Sequence, residues 1–128
     1  MVLDTNVLVS GLLSSNGAPS RILNLVINGN VIIVLDTRIF DEYSEVLRRE
    51  KFSFPKDAVN EIIAFVRREG VFISPRPLNG NIPDPGDLPF IEVSYHAKVP
   101  IVTGNLRHFK GSDVVVMTPV QFLSGTVW

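Results

Sequence analysis

Apolar residues in this chain fall into two alternating patterns, short β-branched runs and longer stretches spaced for helices. Val2 and Leu3 read as the end of a first strand, while Val7, Leu8, Gly11 and Leu12 recur at the i, i+1, i+4, i+5 spacing of a helix face. Asp4, Thr5 and Asn6 therefore fill a strand-to-helix turn. Ser14, Ser15, Asn16, Gly17 and Pro19 form a loop, and Ser20 is placed to cap a second helix. Ile22, Leu23, Leu25, Val26 and Ile27 supply the apolar face of that helix, and Asn28-Gly29-Asn30 ends it. Residues 31–35 are an unbroken apolar run, which predicts a second strand covered on both faces in a parallel sheet.

After Asp36 and Thr37 a helix is predicted over residues 38–50, with Ile39, Phe40, Tyr43, Val46 and Leu47 in one sector at 100° per residue. Asp41 and Glu45 lie more than about 120° from the centre of that sector and should be solvated. Glu42 sits about 90° away, at the seam between core and water. The basic end Arg48-Arg49-Glu50-Lys51 complements the helix dipole. Pro55 opens a further helix with Ala58, Ile62, Ile63 and Val66 on one face and Gly70 beyond its end; Val71, Phe72 and Ile73 make a third strand. A stiff loop carrying Pro75, Pro77, Pro83 and Pro85 leads to Asp87, which starts a helix burying Phe90, Ile91, Ser94 and Ala97. Residues 99–102 form a fourth strand with the polar turn Thr103-Gly104-Asn105 at its end. Residues 114–117 form a fifth strand, and Pro119 starts a last short helix through Phe122 and Leu123.

Five short strands alternating with helices predict an α/β fold, a three-layer α/β/α sandwich on a parallel five-stranded sheet of order 3-2-1-4-5. Its 128 residues make one domain, 1–128, by size. No apolar run approaches the roughly 20 residues that span a bilayer, and the N-terminus has neither the basic segment nor the apolar stretch of a signal peptide. A cytoplasmic protein without a membrane partner is expected. The chain has no Cys, which excludes disulfides and thiolate metal sites. Twelve Lys and Arg against 13 Asp and Glu leave no general attraction for nucleic acid, so such a partner must be held by a local patch.

The expected order makes strands 1 and 4 neighbours at a topological switch point, where open α/β sheets bind ligands. It brings together the turn at Asp4, the seam residue Glu42, the helix start at Asp87 and the turn at Thr103 to Asn105. Asp4 or Thr5 could serve only to cap the first helix, and Asp87 is equally suited to be an N-cap. Three carboxylates forced together, however, raise one another's pKa unless a cation neutralises them. A hard divalent metal with oxygen ligands, Mg²⁺ or Mn²⁺, is the natural occupant, and such ions suit phosphodiester hydrolysis. His96 falls mid-helix with no second His at metal spacing and reads as a surface residue.

The segments LDTNVLVSGLL at 3–13, EYSEVL at 42–47, DPGDLPFIEVS at 84–94 and VTGNLRHF at 102–109 resemble those of PIN-domain ribonucleases, and more narrowly the VapC-type toxins of toxin–antitoxin pairs. The resemblance implies that Asp4, Glu42 and Asp87 are an acidic metal-binding triad, with Asn105 in a fourth position that carries Asp or Asn. It also matches Asn6 and Thr103 to accompanying polar positions, and Asp84 to an extra acid. The implied activity is metal-dependent endonucleolytic cleavage of single-stranded RNA by a homodimer with an antitoxin partner. Arg107, His108 and Lys110 lie just past the site and could hold RNA phosphates. Two rivals stand beside this reading. A phosphatase of the haloacid-dehalogenase type wants Asp-x-Asp where this chain has Asp4-Thr5-Asn6, and a catalytically idle PIN-fold module would only bind RNA or protein.

Overall fold

The computed structural model describes residues 1–78 and 84–125. Pro83 and the middle of the proline-rich loop lie outside them. The elements follow in the order β1 (Val2–Leu3), α1 (Thr5–Leu13), α2 (Ala18–Ile27), β2 (Val34–Leu35), α3 (Thr37–Leu47), α4 (Lys56–Glu69), β3 (Val71–Phe72), α5 (Leu88–Ala97), β4 (Ile101–Val102), β5 (Val116–Met117) and α6 (Pro119–Ser124). All three strand pairings are parallel, as the alternation of strands and helices requires. The result is a mixed α/β fold with helices packed about a parallel sheet.

The strands do not run as one ladder. β1, β4 and β5 form a three-stranded ladder in that order, and β2 and β3 a separate pair. The two ladders meet where the Val34 amide donates to the Met1 carbonyl at 2.8 Å and the Met1 nitrogen donates to the Ile32 carbonyl at 2.8 Å. The neighbours expected from the order 3-2-1-4-5 are kept within each ladder, β3 beside β2 and β1-β4-β5, while β2 meets the chain at β1 through these backbone bonds alone and not through a continuous ladder. β1 and β4 are neighbours, with Val2 opposite Ile101 and Leu3 opposite Val102, and this pairing carries the two polar turns to the same edge of the sheet.

Three local expectations change. The second strand is only two residues long, and Ile32 is 52% exposed, because the backbone at Val31 still turns back to the end of α2 through its amide bond to the Leu25 carbonyl. Ser20 lies inside α2, whose N-cap is Gly17 at φ 107°, with Pro19 in the first turn. α3 stops at Leu47, three residues early, and a single 3-10 turn at Glu50–Phe52 follows.

The core is built from the residues the apolar pattern marks. Val2, Leu3, Leu35, Ile39, Tyr43, Ile101 and Val102 are fully buried between the sheet and helices α1, α3 and α5. α5 is buried on two sides, so Glu92 and Ser94 are as inaccessible as Phe90 and Val93. Among the described residues no helix is long and apolar enough to cross a membrane.

Candidate functional site

Asp4 leaves the end of β1 with its amide donating to the Val102 carbonyl at 2.9 Å, so the turn is pinned to the end of β4. It occupies the N-cap position of α1, yet its side chain makes no capping bond. Its Oδ2 instead accepts a 2.6 Å hydrogen bond from the Thr103 hydroxyl, which is itself fully buried and accepts from the Asn105 amide at 3.1 Å. Thr103 is in turn held to β5 by its amide bond to the Met117 carbonyl. A chain of neutral donors thus orients the Asp4 carboxylate from β4 and β5.

Glu42 projects from the middle of α3, half-buried as the seam position predicts, and accepts a hydrogen bond from the Thr5 hydroxyl. The next residue, Tyr43, donates to the Leu3 carbonyl at 2.5 Å from a fully buried position. α3 is therefore stitched to the residues on either side of Asp4. Burial, and then the charges of Asp4 and Glu42, raise the Tyr43 hydroxyl pKa well above its ordinary value and keep it a donor.

Asp87 ends a single 3-10 turn, Pro85–Asp87, that Asp84 closes by accepting from the Gly86 amide at 2.8 Å. It precedes α5 but makes no side-chain cap bond. Its side chain is 15% exposed, and its Oδ2 is buried with no hydrogen-bond partner. The nearest cation-forming group is His108, whose Nδ1 lies 3.9 Å away, beyond hydrogen-bond reach. Burial is the first cause that raises the Asp87 pKa above 3.8; Asp84, Asp4 and Glu42 raise it further, and His108 opposes them.

The structure thus brings Asp4, Glu42 and Asp87 within electrostatic reach of one another. It does not draw them into a finished cage, since among the described residues no three His, Cys, Asp or Glu side chains are placed to hold a metal ion. Hydroxyls take one oxygen each of Asp4 and Glu42. The donor set nonetheless fits a hard cation: it is all oxygen, and the orphaned Asp87 Oδ2 is a buried acceptor with nothing to accept.

The remaining candidates stand at the margin. Asn105 is exposed and contributes only its backbone amide, while Asn6 and Asp84 are exposed. Arg107, His108 and Lys110 are exposed on or beside the 3-10 turn Leu106–Phe109 that follows Asn105. His96 bonds the Arg76 carbonyl at 3.0 Å on the surface.

Sequence reasoning missed Thr5 as the partner of Glu42, Tyr43 as a tether, and Glu92, which is 2% exposed and bound to Arg38 and to the Leu78 amide. An acid set within the apolar run Phe90, Ile91 and Val93 was the signal for the last.

A family model described as PIN domain matches residues 1–107. The uncharacterized protein MJ1680 of Methanocaldococcus jannaschii is 30% identical over 110 residues, covering 82% of this chain and 70% of that protein. No solved structure matches significantly. The haloacid-dehalogenase alternative gains no support from the family match. With the match running from Asp4 through Asn105, the chain belongs to the PIN-domain family.

Proposed function

We propose that this protein is a metal-dependent endoribonuclease acting on single-stranded RNA. PIN domains are typically nucleases that hydrolyse phosphodiester bonds and generally use divalent metals. The observation that carries the reading here is Asp87 Oδ2, a buried carboxylate oxygen with no hydrogen-bond partner in the field of Asp84, Asp4 and Glu42. Such a group costs stability, and a site that keeps one is set for a cation.

Asp4 and Asp87 would hold Mg²⁺ or Mn²⁺ directly, with Glu42 as ligand or as orienter of the attacking water and Asn105 through its carbonyl or a water. The bound ion supplies Lewis-acid polarisation of the scissile phosphate and a lowered pKa for water. Thr103 keeps Asp4 Oδ2 aimed at the site, and Thr5 does the same for Glu42 Oε2. Arg107, His108 and Lys110 contact RNA phosphates on the exposed turn beyond β4. A role as the toxin of a toxin–antitoxin pair, as a homodimer with a protein antitoxin, follows from the resemblance of its four motifs to VapC-type proteins.

The test uses purified protein and a fluorescently labelled single-stranded RNA, with Mn²⁺ and with chelator. Cleavage with Mn²⁺, its loss with chelator, and its loss in Asp4→Asn with an unchanged circular dichroism spectrum are the expected results. Calorimetric titration with Mn²⁺ separates the idle-module reading, which expects no binding. Full activity of Asp4→Asn would sink the proposal.

A further inference from the structure

Glu92 is an acid inside a helix buried on two sides. Both of its oxygens accept: Oε1 from Arg38 Nη1 at 2.8 Å, and Oε2 from the Leu78 amide at 2.6 Å. The Arg38 guanidinium also binds Asp36 Oδ2, through Nε at 2.8 Å and Nη2 at 2.7 Å. Asp36 in turn caps α3 by accepting from the Ile39 amide at 3.0 Å. The Arg38 fork therefore ties the start of α3 to the middle of α5, and the second oxygen of Glu92 ties α5 to the chain that leaves β3.

The location of this knot gives it meaning. Arg38 and Glu42 are separated by four residues and share a face of α3, one turn apart. Glu92 is five residues beyond Asp87, about 7.5 Å along α5 at 1.5 Å per residue. The fastening thus lies about one turn from the place where the Glu42 helix and the Asp87 helix approach the site. Through Leu78 it also fixes one end of the connection that returns at Asp84.

We propose that Glu92 is a positioning residue for the Asp87 carboxylate, acting through Arg38 and the Leu78 amide to set α5 against α3. The proposal rests on the nuclease reading above. Arg38 shares its one positive charge between Glu92 and Asp36 and holds both in a single hydrogen-bonded cluster. The effect of Glu92 on the cation is one of placement at one remove from the ligands, at the low end of the roughly 10- to 100-fold in metal affinity that a partner bonded directly to a ligand is worth.

Two variants test it. Glu92→Gln must turn an amide NH₂ toward one of two donors and may therefore be replaced in the assay, should it fail to fold, by Arg38→Lys. The Arg38 side chain is 45% exposed, and a lysine there reaches one acid at a time. Mn²⁺ affinity by calorimetry, kcat and KM on single-stranded RNA, and ¹⁵N-amide spectra are measured well below the melting temperature of each variant. The expected result is a folded variant with Mn²⁺ affinity reduced about tenfold, kcat reduced more than KM is raised, and shifted amides at Leu78, Asp84, Gly86, Asp87 and Leu88. A folded Arg38→Lys with wild-type Mn²⁺ affinity and kcat would overturn the proposal, because a fastening that serves stability alone lowers only the melting temperature. If the wild type itself binds no Mn²⁺, the nuclease reading fails, and the amide spectra decide the positioning claim separately: shifts at Asp84, Gly86, Asp87 and Leu88 uphold it and their absence refutes it.

Discussion

Replacing Asp87 by Asn should make the metal-free protein more stable while abolishing its activity. The carboxylate gives the fold little, having no capping bond and no hydrogen bond to Oδ2, with only His108 at 3.9 Å. Against that stands the cost of an unsatisfied buried polar atom, about 1–3 kcal/mol, and more when it is charged. Asn keeps the shape and its own polar atoms but removes the charge, so a net gain of about 1 kcal/mol is expected, or about 4 °C in melting temperature for a chain of this size. The sign with pH follows from the raised pKa. Burial and the neighbouring acids hold Asp87 above 3.8 in the folded state, so the folded protein binds this proton more tightly than the unfolded chain. The destabilising contribution is absent below pH 3.8, grows as pH rises through the folded-state pKa, and is complete above it. The advantage of Asn should therefore vanish in acid and be full at neutral pH. Saturating Mn²⁺ reverses the ranking, since a ligand at 100 times its Kd stabilises the wild type by about 2.7 kcal/mol and the variant loses most of that. Thermal melts followed by circular dichroism from pH 3 to 8, with chelator and with Mn²⁺, read all of this. A variant that melts below the wild type in chelator at pH 7.5 would show that the carboxylate has a stabilising partner, and the argument from the orphaned oxygen would fall.

Other expectations are independent of that one. Thr103→Val leaves Asp4 Oδ2 and the Asn105 amide without the hydroxyl they share, and should cost about 1–3 kcal/mol by urea denaturation and 10- to 100-fold in RNA cleavage. Asn105→Asp adds a charge where the site has a neutral amide, and calorimetry should find Mn²⁺ bound about tenfold more tightly. Gly11→Ala places a Cβ 2.6 Å from Leu23 Cδ1 and 3.0 Å from the Pro19 carbonyl, forcing α1 and α2 apart. Overpacking of about 1–3 kcal/mol exceeds the roughly 1 kcal/mol that Ala gains in helix propensity, so the denaturation midpoint should fall while activity at low temperature holds.

The order of strands and helices was legible because each strand is an apolar run bounded by turn residues and each helix has an apolar sector. The angular argument placed Glu42 at the seam, where it lies. Glu92 was not singled out: it lies on the side of α5 away from the face formed by Phe90, Ile91, Ser94 and Ala97, and a helix covered by sheet on one side and α3 on the other buries that side too. Ser20 and the second strand were misjudged for another reason. Capping and strand length depend on where the chain turns back, and Gly17 at φ 107° and the Val31 amide bond to Leu25 set those points. The cap readings for Asp4 and Asp87 were right in position and wrong in bonding. Both occupy N-cap sites, yet neither carboxylate bonds its helix, since Thr103 takes one and the other remains unpaired.

That difference between position and bonding explains how the fold keeps a negative site. Asp4 and Glu42 are oriented by the hydroxyls of Thr103 and Thr5, which direct a carboxylate without cancelling its charge. A lysine or arginine in either place would orient as well and would neutralise the acid, leaving a cation little to gain. The guanidinium of Arg38 is engaged instead by Asp36 and Glu92, where it fastens helices. Around these acids the chain thus uses Arg38 for architecture and neutral donors for aim. The elevated Asp87 pKa is the thermodynamic mark of carboxylates that are oriented without being neutralised.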